Sequence, residues 1–253
     1  MLENRAEVIV ENKELNQKIV YSINKAIVQD VPFDIREHHL ETNNRNIFAT
    51  GDHINENLRR YVVKDGIELL PFKRSAWEGR IIIDKSNKVT YSVSTRRTLD
   101  AVIKNHGDNP HYLRSILYAE NSDCQSSPKQ ITISDVNPEY LTDDYDEKLL
   151  EEDYNRIMKG AIGLNEDYKH YIVVYNSEHH MISSIELLLF DEKFNVVDRI
   201  DLMEYVTSDF SLVEDNMFEN IDAEDNEKHK SNSDLIGIKE GVKPSLKESK
   251  KEA

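Results

Sequence analysis

The chain has 253 residues, of which 38% are hydrophobic and 32% charged, and its net charge is −16. That length suffices for one large or two small domains with a sizeable core, and eight glycines and six prolines are too few for collagen-like or proline-rich segments. The lone Cys124 excludes an internal disulfide or a multi-cysteine metal site, and no apolar run approaches the ~20 residues that span a bilayer.

Charges are scattered through Met1 to Gln17, so neither a signal peptide nor a membrane anchor is expected. The chain reads as a soluble cytoplasmic protein with no membrane partner. Its richness in Asn, Lys, Glu, Ile and Tyr resembles that of accessory proteins from AT-rich bacterial genomes and their phages.

The first element is a helix over Lys13 to Gln29, with Leu15, Ile19, Val20, Ile23 and Ile27 on one stripe. Val31-Pro32 is expected to end it, because proline disfavours helix in the preceding residue. Asp34 to Thr50 reads as irregular, and Asp52 as the cap of a second helix through Ile54, Leu58, Tyr61 and Val62. Strands are expected at Ile67 to Pro71, Arg80 to Asp84 and Val89 to Val93, the last two joined by the Lys85-Ser86-Asn87 turn. Ser94 or Thr95 then caps a helix carrying Leu99, Val102 and Ile103, and a further helix covers His111 to Glu120.

Asn121 to Lys129 reads as a polar loop, Ile131 to Ser134 as a brief strand and Asp143 to Lys159 as an acidic helix. The strongest strand signal follows. His170 to Asn176, Met181 to Phe190 and Val196 to Leu202 form an antiparallel meander spanning about 168–202, and Leu202 to Val206 starts a short helix. The fold class is therefore α+β, an antiparallel sheet packed with helices. One domain over residues 1–212 is expected, with a sub-boundary conceivable in the loop 121–145. Beyond it lies an acidic, disordered tail, 213–253, in which Glu214 to Asp234 carries eight acids against Lys228 and Lys230. Ile81 to Asp84 with its following turn parallels Leu188 to Asp191 with its own, although Asp and Asn turn chemistry alone produces that likeness.

Charge marks one place for function. Between Arg59 and Lys104 eleven basic residues meet five acidic ones, so this island carries +6 and the rest of the chain −22. Lys73, Arg74, Trp77 and Arg80, with Arg96 and Arg97 at a helix start, are the candidates for holding phosphates and stacking a base. The competing reading neutralises these arginines on the protein's own acids and buries Trp77 in the core. The functional reading requires Arg74, Arg80, Arg96 and Arg97 to share one open face.

Other chemistry finds less support. A nuclease built on a hairpin Asp followed by Glu-x-Lys would use Asp84, but the next strand, Val89 to Val93, supplies no such motif. His38-His39, His53, His106, His111, His170, His179-His180 and His229 lack the spacing of a zinc helix or ladder, and no metal or cofactor is expected. Cys124 sits in a polar context without an identifiable base, and no Gly-rich phosphate loop or Gly-x-Ser-x-Gly turn occurs. In the tail, Phe210, Val213, Met217 and Ile221 alternate with acids, as in a segment that orders on a partner. The expected function is a non-enzymatic binding or regulatory protein. Its partner is a protein met through acidic surfaces or tail, or nucleic acid met at the island; the alternative is a metal-dependent, nuclease-like enzyme.

Overall fold

The computed structural model describes residues 12–38, 46–74, 77–104, 107, 109–124, 145–164 and 166–207. All of them belong to the compact unit Met1–Ser208; a second unit, Asp209–Ala253, lies outside the described residues, as do the acidic tail and the strand expected at Ile131 to Ser134.

Among the described residues the α-helices are α1 (Lys13–Lys25), α2 (Val31–His38), α3 (Asn46–Tyr61), α4 (Arg96–Lys104), α5 (Tyr112–Asn121) and α6 (Glu147–Met158). The strands are β1 (Ile67–Arg74), β2 (Trp77–Asp84), β3 (Val89–Thr95), β4 (Lys169–Glu178), β5 (Met181–Phe190) and β6 (Val196–Asp201). They form one six-stranded sheet in sequential order. Four neighbouring pairs are antiparallel, including the meander β4-β5-β6, and β3 runs parallel to β4 with Val89 opposite Lys169. The fold is α+β. A parallel pair needs a crossover, and α4, α5 and α6 lie in it between the two strands.

Strand alternation sorts the core into two layers. Ile82, Tyr91, Tyr171, Val173, Ile185 and Leu187 pack against Leu15, Ile19 and Ile23 of α1 and Leu58 of α3. Their sequence neighbours Ile81, Ile83, Ile172, Val174 and Leu188 point the other way, onto Leu99, Leu113, Ile116, Ile157 and Met158 of α4, α5 and α6.

Three expectations are corrected. Pro32 does not end the first helical run. A π-helical turn, Ala26–Asp30, absorbs the register change, with the Val31 amide donating to the Ala26 carbonyl, and α2 continues beyond it. The wider turn spares proline the bond and the clash it would meet in an unbroken α-helix. Asp52 is no cap, because α3 starts at Asn46 and Ala49 extends its buried stripe. Lys73, Arg74 and Trp77 do not flank strands but lie in them, since β1 and β2 are longer than the apolar runs alone suggest.

The hairpin turns explain the internal likeness. Asp84 Oδ1 accepts from the amides of Ser86 and Asn87, both at 3.1 Å, and its Oδ2 from the Asn87 side chain at 2.7 Å and Asn12 at 3.3 Å. Asp191 repeats the pattern, accepting from the Lys193 and Asn195 amides at 2.9 and 2.8 Å and from the Asn195 side chain at 2.9 Å. Both aspartates organise turns. The tip between β4 and β5 is His179-His180, both exposed and both at positive φ (50° and 60°), the backbone of a two-residue hairpin loop.

Candidate binding face beside helix α4

The sheet divides the six candidates between its two sides. β1 and β2 pair Arg74 with Trp77, Lys73 with Glu78 and Pro71 with Arg80. Arg74 and Trp77 share parity with Phe72, Gly79 and Ile81, so they stand on the α4 side. Lys73 and Arg80 share parity with Ile82 and stand on the α1 side. The expected single face of Arg74, Arg80, Arg96 and Arg97 is therefore not formed; period-two alternation sends odd and even strand positions apart.

Internal acids take part of the remaining set. Arg96 pairs with Glu186, which also holds Arg199 at 3.3 Å. Arg74 Nη1 is buried 3.4 Å from Oδ2 of buried Asp153, an ion pair without a hydrogen bond, and Nη2 donates to the Pro110 carbonyl at 2.8 Å. Lys73 sits 3.6 Å from Glu78, an exposed pair, and Arg80 Nη1 donates to the Gly79 carbonyl at 2.9 Å. Among the described residues Arg97 has no ion pair, and neither has Lys104, two turns further along α4.

Helix α4 starts where the sequence places it, with Thr95 Oγ1 accepting the Thr98 amide at 3.1 Å. One flank of the helix borders an open cavity of about 540 Å³ lined by Arg96, Arg97, Asp100, Lys104 and Asn176. Lys104 belongs to the basic island but not to the six candidates, and its i+7 spacing from Arg97 is the signal that could have found it. Asp100 lies between them and moderates the charge.

The other flank borders a second cavity of similar size, about 540 Å³, lined by Arg74, Trp77, His111, Tyr112 and Tyr145 among others. Ala101 lines both. Trp77 is 45% exposed, so the expectation of a core tryptophan is not met. Its ring lies edge-on to Phe72 at 5.5 Å and near parallel to Tyr112, 5.5 Å between centroids. Gly79 makes room for it: a Cβ there would fall 2.5 Å from the Trp77 ring and 2.6 Å from Phe72. Gly79→Ala is therefore expected to dislodge Trp77, blue- or red-shifting its emission maximum by several nanometres at little change in secondary structure. His111 caps α5, its Nδ1 accepting the Leu113 amide at 3.4 Å. Burial, then the nearby charges of Arg74 and Arg114, lower its pKa to about 4, so the ring is neutral near pH 7.

Behind the cavity wall runs a buried polar chain. Thr90 donates to Glu120 and shares a 2.7 Å hydrogen bond with His170 Nδ1, and Ser92 lies 2.9 Å from His170 Nε2. Tyr154 donates to the other Glu120 oxygen at 3.0 Å. Burial pushes Glu120 up to about 7 and His170 down to about 3. Asn121 ties the chain to the sheet: its amide donates to the His170 and Phe190 carbonyls at 2.9 and 2.8 Å, and its oxygen accepts the His170 amide at 2.8 Å. Cys124 is buried in the α1-side core. Among the described residues no group of three His, Cys, Asp or Glu side chains is arranged to hold a metal ion, and no helix is long and apolar enough to cross a membrane.

A family of unknown function, DUF5986, matches residues 10–253. The chain belongs to that family. No curated protein and no solved structure matches it. For this DUF5986 member the α4 face, rather than a relative's known site, is where a functional argument starts.

Proposed function

We propose that the protein is a non-enzymatic binding protein that holds an anionic chain, a run of phosphodiesters, along α4. The observation that carries this reading is the pair Arg97 and Lys104. Both are exposed in an open cavity, and neither has an ion pair among the described residues. Unpaired cations beside a groove lose little on meeting phosphates, whereas Arg74 and Arg96 must first leave Asp153 and Glu186. Asn176, at the end of the neighbouring strand β4, adds a neutral hydrogen-bonding group to the same cavity. The reading asks for no chemistry at Asp84, whose two oxygens already accept four hydrogen bonds.

Fluorescence anisotropy of a labelled single strand checks it. Neutralising about two phosphates predicts roughly a seven-fold loss of affinity between 50 and 200 mM salt. Arg97→Glu with Lys104→Glu is expected to weaken binding at least ten-fold at low salt and to flatten the salt slope by one to two charges, while leaving the melting temperature within about 2 °C. Equal binding by wild type and the double variant removes the reading.

A further inference from the structure

We infer that the cavity on the opposite flank of α4 takes an unpaired nucleobase, so that the chain bound along α4 is single-stranded nucleic acid. This deepens the phosphate reading and rests on it. Trp77 offers a ring that is already fixed. An indole that is 45% exposed ordinarily turns freely, but this one is held on three sides, by the bare Cα of Gly79 and the rings of Phe72 and Tyr112. A large aromatic face fixed in advance and left open loses little conformational freedom when a second ring stacks on it.

The cavity also brings charge and a donor to that ring. Arg74 lines it, with Nη1 3.4 Å from Asp153 Oδ2 and Nη2 donating to the Pro110 carbonyl, so it supplies positive charge rather than a free donor. His111 is neutral, and because its Nδ1 accepts the Leu113 amide, its hydrogen sits on Nε2, a donor. A cation and a donor beside an aromatic face suit a planar group edged with acceptors, as the carbonyl oxygens of thymine, uracil and guanine are. The volume, about 540 Å³, is in the range of small-molecule sites and admits a base with room for its sugar.

The two cavities flank one helix and meet at Ala101, so a strand with its phosphates on Arg97 and Lys104 passes the mouth of the Trp77 cavity. A base paired in a duplex has neither face free, and polyphosphate has no base to offer.

Trp77 is the only tryptophan in the chain, so its emission reports this cavity alone. Wild-type protein is titrated at low salt with a thymidylate 10-mer, an abasic phosphodiester strand of equal length and a blunt duplex, following both Trp emission and anisotropy. The thymidylate strand is expected to quench Trp77 and to bind about ten-fold tighter than the abasic strand, a stacking-sized difference. Trp77→Ala should erase that difference, and Trp77→Phe, which keeps a ring over Gly79, should retain most of it. If Trp77→Ala fails to fold, the Phe variant and the wild-type strand comparison still decide. Equal affinity for thymidylate and abasic strands, or tighter binding of the duplex, overturns the base subsite while the phosphate reading stands. Absence of binding by every probe overturns both.

Discussion

Asn121→Ala is expected to lower the unfolding free energy by roughly 3–5 kcal/mol, because each buried group left without a partner costs about 1–3 kcal/mol. The β4–β5 ladder ends at Tyr171 opposite Leu189, and the Asn121 side chain takes the place of the next rung. It satisfies the His170 amide and the carbonyls of His170 and Phe190, and it is itself fully buried. Alanine strands all three backbone groups and leaves a void at the junction of α5 with the sheet. Asn121→Asp should be at least as damaging, since a carboxylate would face two carbonyl oxygens in a site closed to water. Urea denaturation checks both: the midpoint should fall with the slope unchanged. A loss under about 1 kcal/mol would mean that water or a relaxed loop replaces the amide.

Glu120→Gln is expected to gain stability relative to wild type as pH rises from about 4.5 to about 7. Glu120 has an ordinary value of 4.5 and a folded value raised to about 7, chiefly by burial. Its contribution is fully present below 4.5 and is lost as pH climbs through the folded value, since ionisation then occurs in a site closed to water. His170 has the opposite sign. Its folded value is lowered by burial from 6.5 to about 3, so its contribution is complete above 6.5 and is lost as pH falls toward 3. Between about 4.5 and 6.5 the two slopes oppose, and wild-type stability should be nearly flat. Glutamine removes one slope. The variant's stability should therefore rise through that interval, ending up to about 3 kcal/mol ahead of wild type. Thermal melts in a pH series read this directly; parallel profiles for the two proteins would sink it.

The same substitution bears on His170. With Glu120 ionised, Thr90 donates its hydroxyl hydrogen to the carboxylate, so its oxygen receives the hydrogen of His170 Nδ1 and Ser92 donates to Nε2. In the Glu120→Gln variant the new side-chain amide donates to Thr90, which reverses each step and places the imidazole hydrogen on Nε2. Nitrogen chemical shifts of His170 should distinguish the two tautomers.

Local periodicity made most elements readable. The apolar stripe of α1, the apolar run of β2, the alternation in β3 and the apolar length of β5 each express a residue's own neighbours within a few positions, and those interactions are short-ranged. Asp84 and Asp191 read correctly as turn residues for the same reason. The π-turn before Pro32 did not show, because the same Val-Pro pair that usually stops a helix is accommodated when one extra residue widens the turn. The start of α3 stayed hidden because Phe48 in its first turn faces outward while the small Ala49 faces in.

Periodicity and composition established an α+β chain with strongly opposed charge and a cationic stretch between Arg59 and Lys104. Tertiary structure decided which cations meet acids of the same chain. Strand parity sent Lys73 and Arg80 to one side of the sheet, and the parallel β3–β4 join and the antiparallel β4–β5 pairing brought Glu186 to Arg96 across 90 residues. Packing of α6 against the α4 side carried Asp153 to Arg74. Beside α4, Arg97 and Lys104 are left without an ion pair among the described residues, and a tryptophan stands propped above a glycine. Neither could be read beforehand, because a side chain's charge is local but its neutralising partner is set by contacts between distant segments.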